Sequence, residues 1–172
     1  LATFHREQDL ANLITNVPDE FSAMLAVAQW VGNAFDHGSD PLTGELGKYD
    51  INAIFASGQE GGQYWCEIAA LFMTQVATAM AWPARMVTVS NNGYNWDHAV
   101  TEIWSNQYRK WILFDTDFNV LYMERGVPLS AFDIIERNHQ RATSEVNIVR
   151  FGKLKQFFVN RNGSKHLAPT QL

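Results

Sequence analysis

The segment Trp65 to Ala81 is apolar almost all the way round, which leaves it a single place in a globular fold. A helix without a polar face is buried on every side, so this one forms the centre of the core. At ~1.5 Å rise per residue it is on the order of 24 Å long. Pro83 closes it, because proline disfavours helical geometry in the residue before it. Near its start stands Cys66, the one cysteine of the chain, preceded by Gly58, Gly61 and Gly62. Glycine-rich turns allow a backbone to approach a ligand closely. At a helix N-terminus the macrodipole and unpaired amides favour a thiolate.

The 172 residues suffice for one domain, 1–172, with a full core. A hydrophobic fraction of 47% with 18% charged residues is that of a globular chain. The net charge of -5 argues against a nucleic-acid partner, since no basic stripe offsets it. No apolar stretch reaches the roughly 18 residues that span a bilayer. A lone cysteine excludes an internal disulfide and does not report the redox compartment. Because the first residue is Leu1, a cytoplasmic location and export with a removed signal peptide both stay open. Oligomeric state is likewise open.

Residues 3–14 carry a weak helical spacing, and Pro18-Asp19-Glu20 reads as the start of an amphipathic helix over Phe21 to Phe35. A polar loop, 36–50, leads to a short helical turn, Ile51 to Ala56. After the central helix come three β-rich stretches, 85–89, 99–104 and 111–114. Turn residues at 91–93 and 105–108 join them, which favours antiparallel pairing. A last helix opens at Pro128-Leu129-Ser130, and 146–159 supplies one or two edge strands. The fold class is α+β.

His98 and Asp115 fall on two of those strands, downstream of Cys66, in the order of a Cys-His-Asp acyl-transfer site. If 99–104 and 111–114 pair across an even-numbered loop, opposed residue numbers sum to an odd value. His98 and Asp115 then share a face at one end of the hairpin, directly opposite or one diagonal step apart. Asp117 has the same parity, so this geometry does not choose between the two aspartates.

Four segments resemble successive motifs of the transglutaminase-like superfamily. They are Trp65-Cys66-Glu67-Ile68-Ala69, Trp82-Pro83-Ala84-Arg85, Asp97-His98-Ala99-Val100-Thr101-Glu102 and Lys110-Trp111-Ile112-Leu113-Phe114-Asp115. That superfamily includes transglutaminases, peptide N-glycanases and bacterial cysteine proteases. The resemblance covers roughly Gly58 to Ala131. It implies a papain-like core, with the nucleophile helix packed on an antiparallel sheet, and makes Cys66 the nucleophile, His98 the base and Asp115 the orienting acid. The chain departs from the family at Ala81-Trp82, where glycine and a small aliphatic residue usually precede the proline. The Cys66 amide is the natural first oxyanion donor. Gln59, Gln63, Tyr64, Trp65 and Trp30 are candidates for the second, with Gln63 favoured as the nearer glutamine in sequence.

Plainer roles compete with these. A cysteine at a helix start is most often a small buried hydrophobe, and Asp115 could simply cap the turn that follows it. The six tryptophans are more often core than substrate groove, with Trp104 and Trp111 facing each other across the hairpin. The acids Asp36, Asp40, Glu45 and Asp50 match no calcium loop. His98 and Glu102 lie about 13 Å apart along a strand, too far to share a zinc ion. The expectation is therefore a thiol enzyme that needs no cofactor or metal, acting on an amide of a peptide or protein. Hydrolysis through a thioester is favoured. The alternatives are a protein-glutamine transglutaminase, a peptide N-glycanase-like amidase, and a non-catalytic binding module on the same fold.

Overall fold

The computed structural model describes residues 1–38, 49–90, 94–95 and 97–155. Its centre is helix α4, Cys66–Ala79, which buries Ile68, Ala69, Phe72, Met73, Val76 and Ala77. Two N-terminal elements pack on it: α1 (Ala2–Glu7) through Phe4, and α2 (Glu20–Gly32) through Met24, Val27 and Val31. Pro18 stands outside α2. Asp19 is its N-cap and accepts the Ser22 amide at 2.8 Å, satisfying a first-turn donor that would otherwise be orphaned. Helix α3 (Ile51–Gln59) runs three residues past the expected turn and is capped by Asp50, which accepts the Asn52 and Ala53 amides. Trp30 of α2 stacks on Phe55 of α3 and Phe72 of α4, with ring centroids 5.2 and 6.2 Å apart.

Against the other side of α4 lies an antiparallel sheet of β3 (Ala84–Val89), β4 (His98–Ser105) and β5 (Lys110–Phe114), with β4 in the middle. The β4–β5 register sets Thr101 opposite Phe114 and Trp104 opposite Trp111, across the even loop 106–109. The two indoles meet edge to face at 5.7 Å. Ile103, Ile112 and Phe114 join the α4 core, while Val100 and Leu113 pack with Tyr122, Leu129 and Ala131 on the opposite face. Strand β4 is thus covered on both faces, and residues 99–103 are buried without alternation, Thr101 and Glu102 included. The Thr101 hydroxyl donates to the Ala70 carbonyl at 2.7 Å and the Thr116 hydroxyl to that of Ala69 at 3.1 Å, pinning helix to sheet.

The remainder is a smaller sheet ordered β7-β6-β8, with β6 Val120–Glu124, β7 Val127–Pro128 and β8 Asn147–Arg150. Helix α5 (Ala131–His139) begins in a capping box formed by Ser130 and Asp133. Within 146–155 the one edge strand is β8, and 156–172 lies outside the described residues, as do the turn residues 91–93.

The family departure at the end of α4 has a structural counterpart. Ala81 adopts φ 61°, the left-handed conformation that glycine enters without penalty. The Ala81 amide reaches the Thr78 carbonyl and the Trp82 amide the Ala77 carbonyl, both at 3.0 Å. The helix therefore ends in the six-to-one closure usual with glycine, and alanine supplies it under strain.

Candidate active site

Cys66 is the first residue of α4, and Trp65, its N-cap, places no side chain on the exposed amides of the first turn. The sulfur-bearing residue is half-buried, not sealed in the core. Strand β2 (Gln63–Tyr64) leads into it and pairs in parallel with β1 (Asp36–His37), so His37 sits across from Tyr64. The glycines before Cys66 serve this approach. A Cβ at Gly62 would lie 2.7 Å from the Ser57 carbonyl oxygen and one at Gly58 2.9 Å from that of Ala34, so these two admit the chain's own backbone where a ligand was expected, while Gly61, at φ 88°, faces open space.

His98 opens β4, and its Nε2 lies 2.8 Å from Asp115 Oδ2. The side chains are 20% and 2% exposed respectively. The other oxygen of Asp115 accepts the amides of Asp117 (3.1 Å) and Phe118 (3.0 Å). One carboxylate therefore caps the turn and holds the imidazole, and the two roles weighed from sequence coexist.

The β4–β5 register, if continued, would put His98 opposite Asp117, with Asp115 a diagonal step away. The chain does not continue it. A bridge from Asp115 to Val120 folds 116–119 into a turn, and Asp117 turns to His37, with Oδ1 2.8 Å from Nδ1. The sheet's end thus separates two aspartates that parity left equivalent.

Cys66 Sγ, a ring nitrogen of His98 and a carboxylate oxygen of Asp117 all lie within 4.8 Å of one another. Burial alone would push the His98 imidazole down. Its interactions with Asp115 and with the Cys66 sulfur outweigh that and raise it to about 10. The ring is therefore an imidazolium across the neutral range, beside the sulfur.

Behind this group lies a lysine that sequence reasoning missed. Lys155 is buried, and its Nζ is 4.8 Å from the Phe35 ring centroid, with no hydrogen-bond partner among the described residues. Burial pushes its amine down to about 8, against the pull of Asp117, Asp115 and Asp36. Asn119 ties the segment carrying it: its Nδ2 donates to the carbonyls of Gly32 (3.1 Å) and Lys153 (2.9 Å). A Cβ at Gly32 would collide with the Asn119 side chain at 1.8 Å. The His37–Asp117 pair was missed as well. Neither carries a local signal, since both depend on loops whose course no periodicity records.

Other residues singled out from sequence have structural work. Glu102 is buried; its carboxylate takes two Arg85 donors (2.9 and 2.6 Å) and the Ala131 amide (2.8 Å). Asp36 pairs with Lys153 at 3.2 Å and Asp50 caps α3, while Asp40 and Glu45 lie outside the described residues. Among the oxyanion candidates, Trp30 and Tyr64 belong to the aromatic core. Gln59 is exposed at the end of α3, Gln63 is half-buried, and Trp65 is 56% exposed directly beside Cys66. Trp96 lies outside the described residues. A cavity of about 390 Å³ opens against His98 and Asp115, walled by Val89, Leu113, Tyr122 and Ile134; Cys66 does not line it. No helix among the described residues is long and apolar enough to cross a membrane.

An α+β core with a cysteine at the head of its central helix, facing a His-Asp pair at the end of a sheet, defines a class rather than one protein. A family profile described as the transglutaminase-like superfamily matches residues 8–116, and the chain belongs to that superfamily. The match takes in α2 and α3, which lie upstream of every motif legible in the sequence, and leaves out α1. Curated proteins offer no match. Among solved structures, a provisionally assigned cysteine protease from Cytophaga hutchinsonii shares the fold, with a TM-score of 0.50 at 18% identity. The similarity covers 87% of this chain and 47% of that one, so this chain spans about half of that protein's length.

Proposed function

We propose that the chain is a thiol enzyme that hydrolyses an amide bond of a peptide or protein through a thioester on Cys66. The observation that carries this reading is the Cys66–His98–Asp115 arrangement. A sulfur lies within 4.8 Å of an imidazole and an Asp117 carboxylate oxygen, and that imidazole is held at 2.8 Å by the Asp115 carboxylate. The superfamily and the Cytophaga hutchinsonii relative agree with it.

The thiolate, not the thiol, is the nucleophile. Its sulfur attacks the amide carbonyl carbon, and the oxygen takes up negative charge beside the uncapped amides at the start of α4. The C–N bond then breaks, His98 gives its proton to the leaving amine, and the acyl group stays on sulfur as a thioester. Water attacks the thioester while His98 takes its proton, releasing the acid and restoring the thiolate. Asp115 holds the ring in one orientation and tautomer throughout. Gln63 and Trp65, which precede Cys66 closely in the chain and are not buried, are our candidates for completing the oxyanion site. Residues 1–172 act as one domain in this reading.

The test is incubation with a mixed peptide library, with and without an added primary amine, followed by mass analysis. Cleaved peptides that disappear with Cys66→Ala support hydrolysis. Amine adducts would instead make the enzyme a transglutaminase, and glycan release from a denatured glycopeptide would make it an N-glycanase. If Cys66 alkylates with iodoacetamide no faster than in the unfolded chain, the site is a binding module and the enzyme reading fails.

A further inference from the structure

Asp117 is spent by neither the fold nor the proposed reaction. It is buried, its Oδ1 is paired with His37 at 2.8 Å, and its Oδ2 has no hydrogen-bond partner among the described residues. A carboxyl oxygen without a hydrogen-bond partner is costly to bury, and such an atom asks for an occupant. What faces the residue is a sulfur and an imidazole nitrogen, all three ligand atoms within 4.8 Å of one another.

We propose that Cys66, His98 and Asp117 bind a zinc-class divalent cation, which holds the nucleophile in a reversible, inactive state. Thiolate, imidazole and carboxylate are a donor set suited to zinc, and the thiolate selects against the hard cations magnesium and calcium. Three protein ligands leave a fourth tetrahedral position for water. At bond lengths of ~2.0 to 2.3 Å the ligand atoms sit roughly 3.5 Å apart, so from separations of at most 4.8 Å the site closes by little more than an ångström at most.

Two of the three ligands already have the outer partners that such sites use. Asp115 holds Nε2 of His98 and leaves Nδ1 for the ion; His37 holds one oxygen of Asp117 and leaves the other. The ionisable groups that face the site are Cys66, His98, Asp115 and Asp117, with His37 on Asp117 and the Lys155 amine drawn toward both aspartates, while Asp36 and Lys153 pair with each other. Binding releases the proton carried by the Cys66–His98 pair to solvent and changes no oxidation state.

The experiment adds zinc chloride to the whole chain and follows the rate of Cys66 alkylation, with metal content read by a chromogenic chelator. One zinc per chain is expected, slowing alkylation at least tenfold, with full recovery on EDTA. Calcium that slows it equally would overturn the donor-set argument, as would an unchanged rate at saturating zinc. Asp117→Asn is expected to weaken zinc at least tenfold, and equal affinity would remove Asp117 from the site. Since that variant alters a buried residue, cobalt on the unaltered chain gives an independent reading. A thiolate-to-cobalt band with a tetrahedral visible spectrum supports the site; an octahedral spectrum without that band overturns it. None of these measurements needs turnover, so failure of the hydrolytic reading and failure of the zinc site are told apart.

Discussion

Among the described residues stand two histidine–aspartate pairs of nearly equal geometry, His98–Asp115 and His37–Asp117. Both are 2.8 Å long, and both join a histidine at the surface to an aspartate that is almost fully buried. They differ in what holds them. His98 stands on the central strand of the main sheet and bonds through Nε2, leaving Nδ1 for Cys66. His37 stands on a two-residue strand and bonds through Nδ1. Asp115 is fixed by three bonds, while half of Asp117 is unbonded among the described residues. In the proposed reaction only one of the two pairs carries protons, so the pairing by itself would not mark the catalytic histidine. The rigidity of its platform and the nitrogen it leaves over decide its use.

The comparison breaks most visibly at the histidines. His98→Ala is expected to lower amide hydrolysis by about 10³-fold, since it removes the proton carrier, whereas the loss from His37→Ala is expected to be at least tenfold smaller. Equal losses in a single-turnover assay would put both pairs in one machine. The aspartates come next. Asp115→Asn keeps an oxygen for the turn amides but presents the wrong group to Nε2, and a fall in kcat of about 10²-fold follows. Asp117→Asn should cost at least tenfold less, and steady-state kinetics of the two variants checks it.

A smaller effect is the pH dependence of stability, measured with EDTA present. His98 is raised from 6.5 to about 10 in the folded chain. Its contribution is thus complete below pH 6.5 and fades as pH rises toward 10. Lys155, lowered from 10.5 to about 8, acts oppositely and adds stability above pH 8. Between pH 6.5 and 8, melting curves should show the wild-type chain losing a few degrees of Tm relative to His98→Gln. No difference between the two slopes would remove the imidazolium from the fold's electrostatics. The smallest test moves to the far end of the nucleophile helix. Ala81→Gly should raise stability by about 1 kcal/mol in urea unfolding, because alanine there holds a left-handed backbone. A loss instead would mean that the strain at Ala81 is not real.

Much of this was written locally. The apolar girth of 66–79 made α4 central, and an even-numbered loop is enough to put His98 and Asp115 on one face, a condition that the four-residue loop 106–109 meets. Periodicity encodes such features because a helix or hairpin reads its neighbours at fixed spacing. The same rule could not tell Asp115 from Asp117, as both obey it. Only the bridge from Asp115 to Val120 ended the strand and sent them to different histidines.

What the sequence determined by itself is the helix, the hairpin and the order of sulfur, imidazole and carboxylate along the chain. The tertiary structure decided which acid serves which ring, what the glycines before Cys66 approach, and that Lys155 lies behind the site. The His37–Asp117 pair and the Asn119–Gly32 tie join segments 80 or more residues apart. Loop closure over such lengths costs nearly the same for many competing partners, so packing, not local pattern, selects among them.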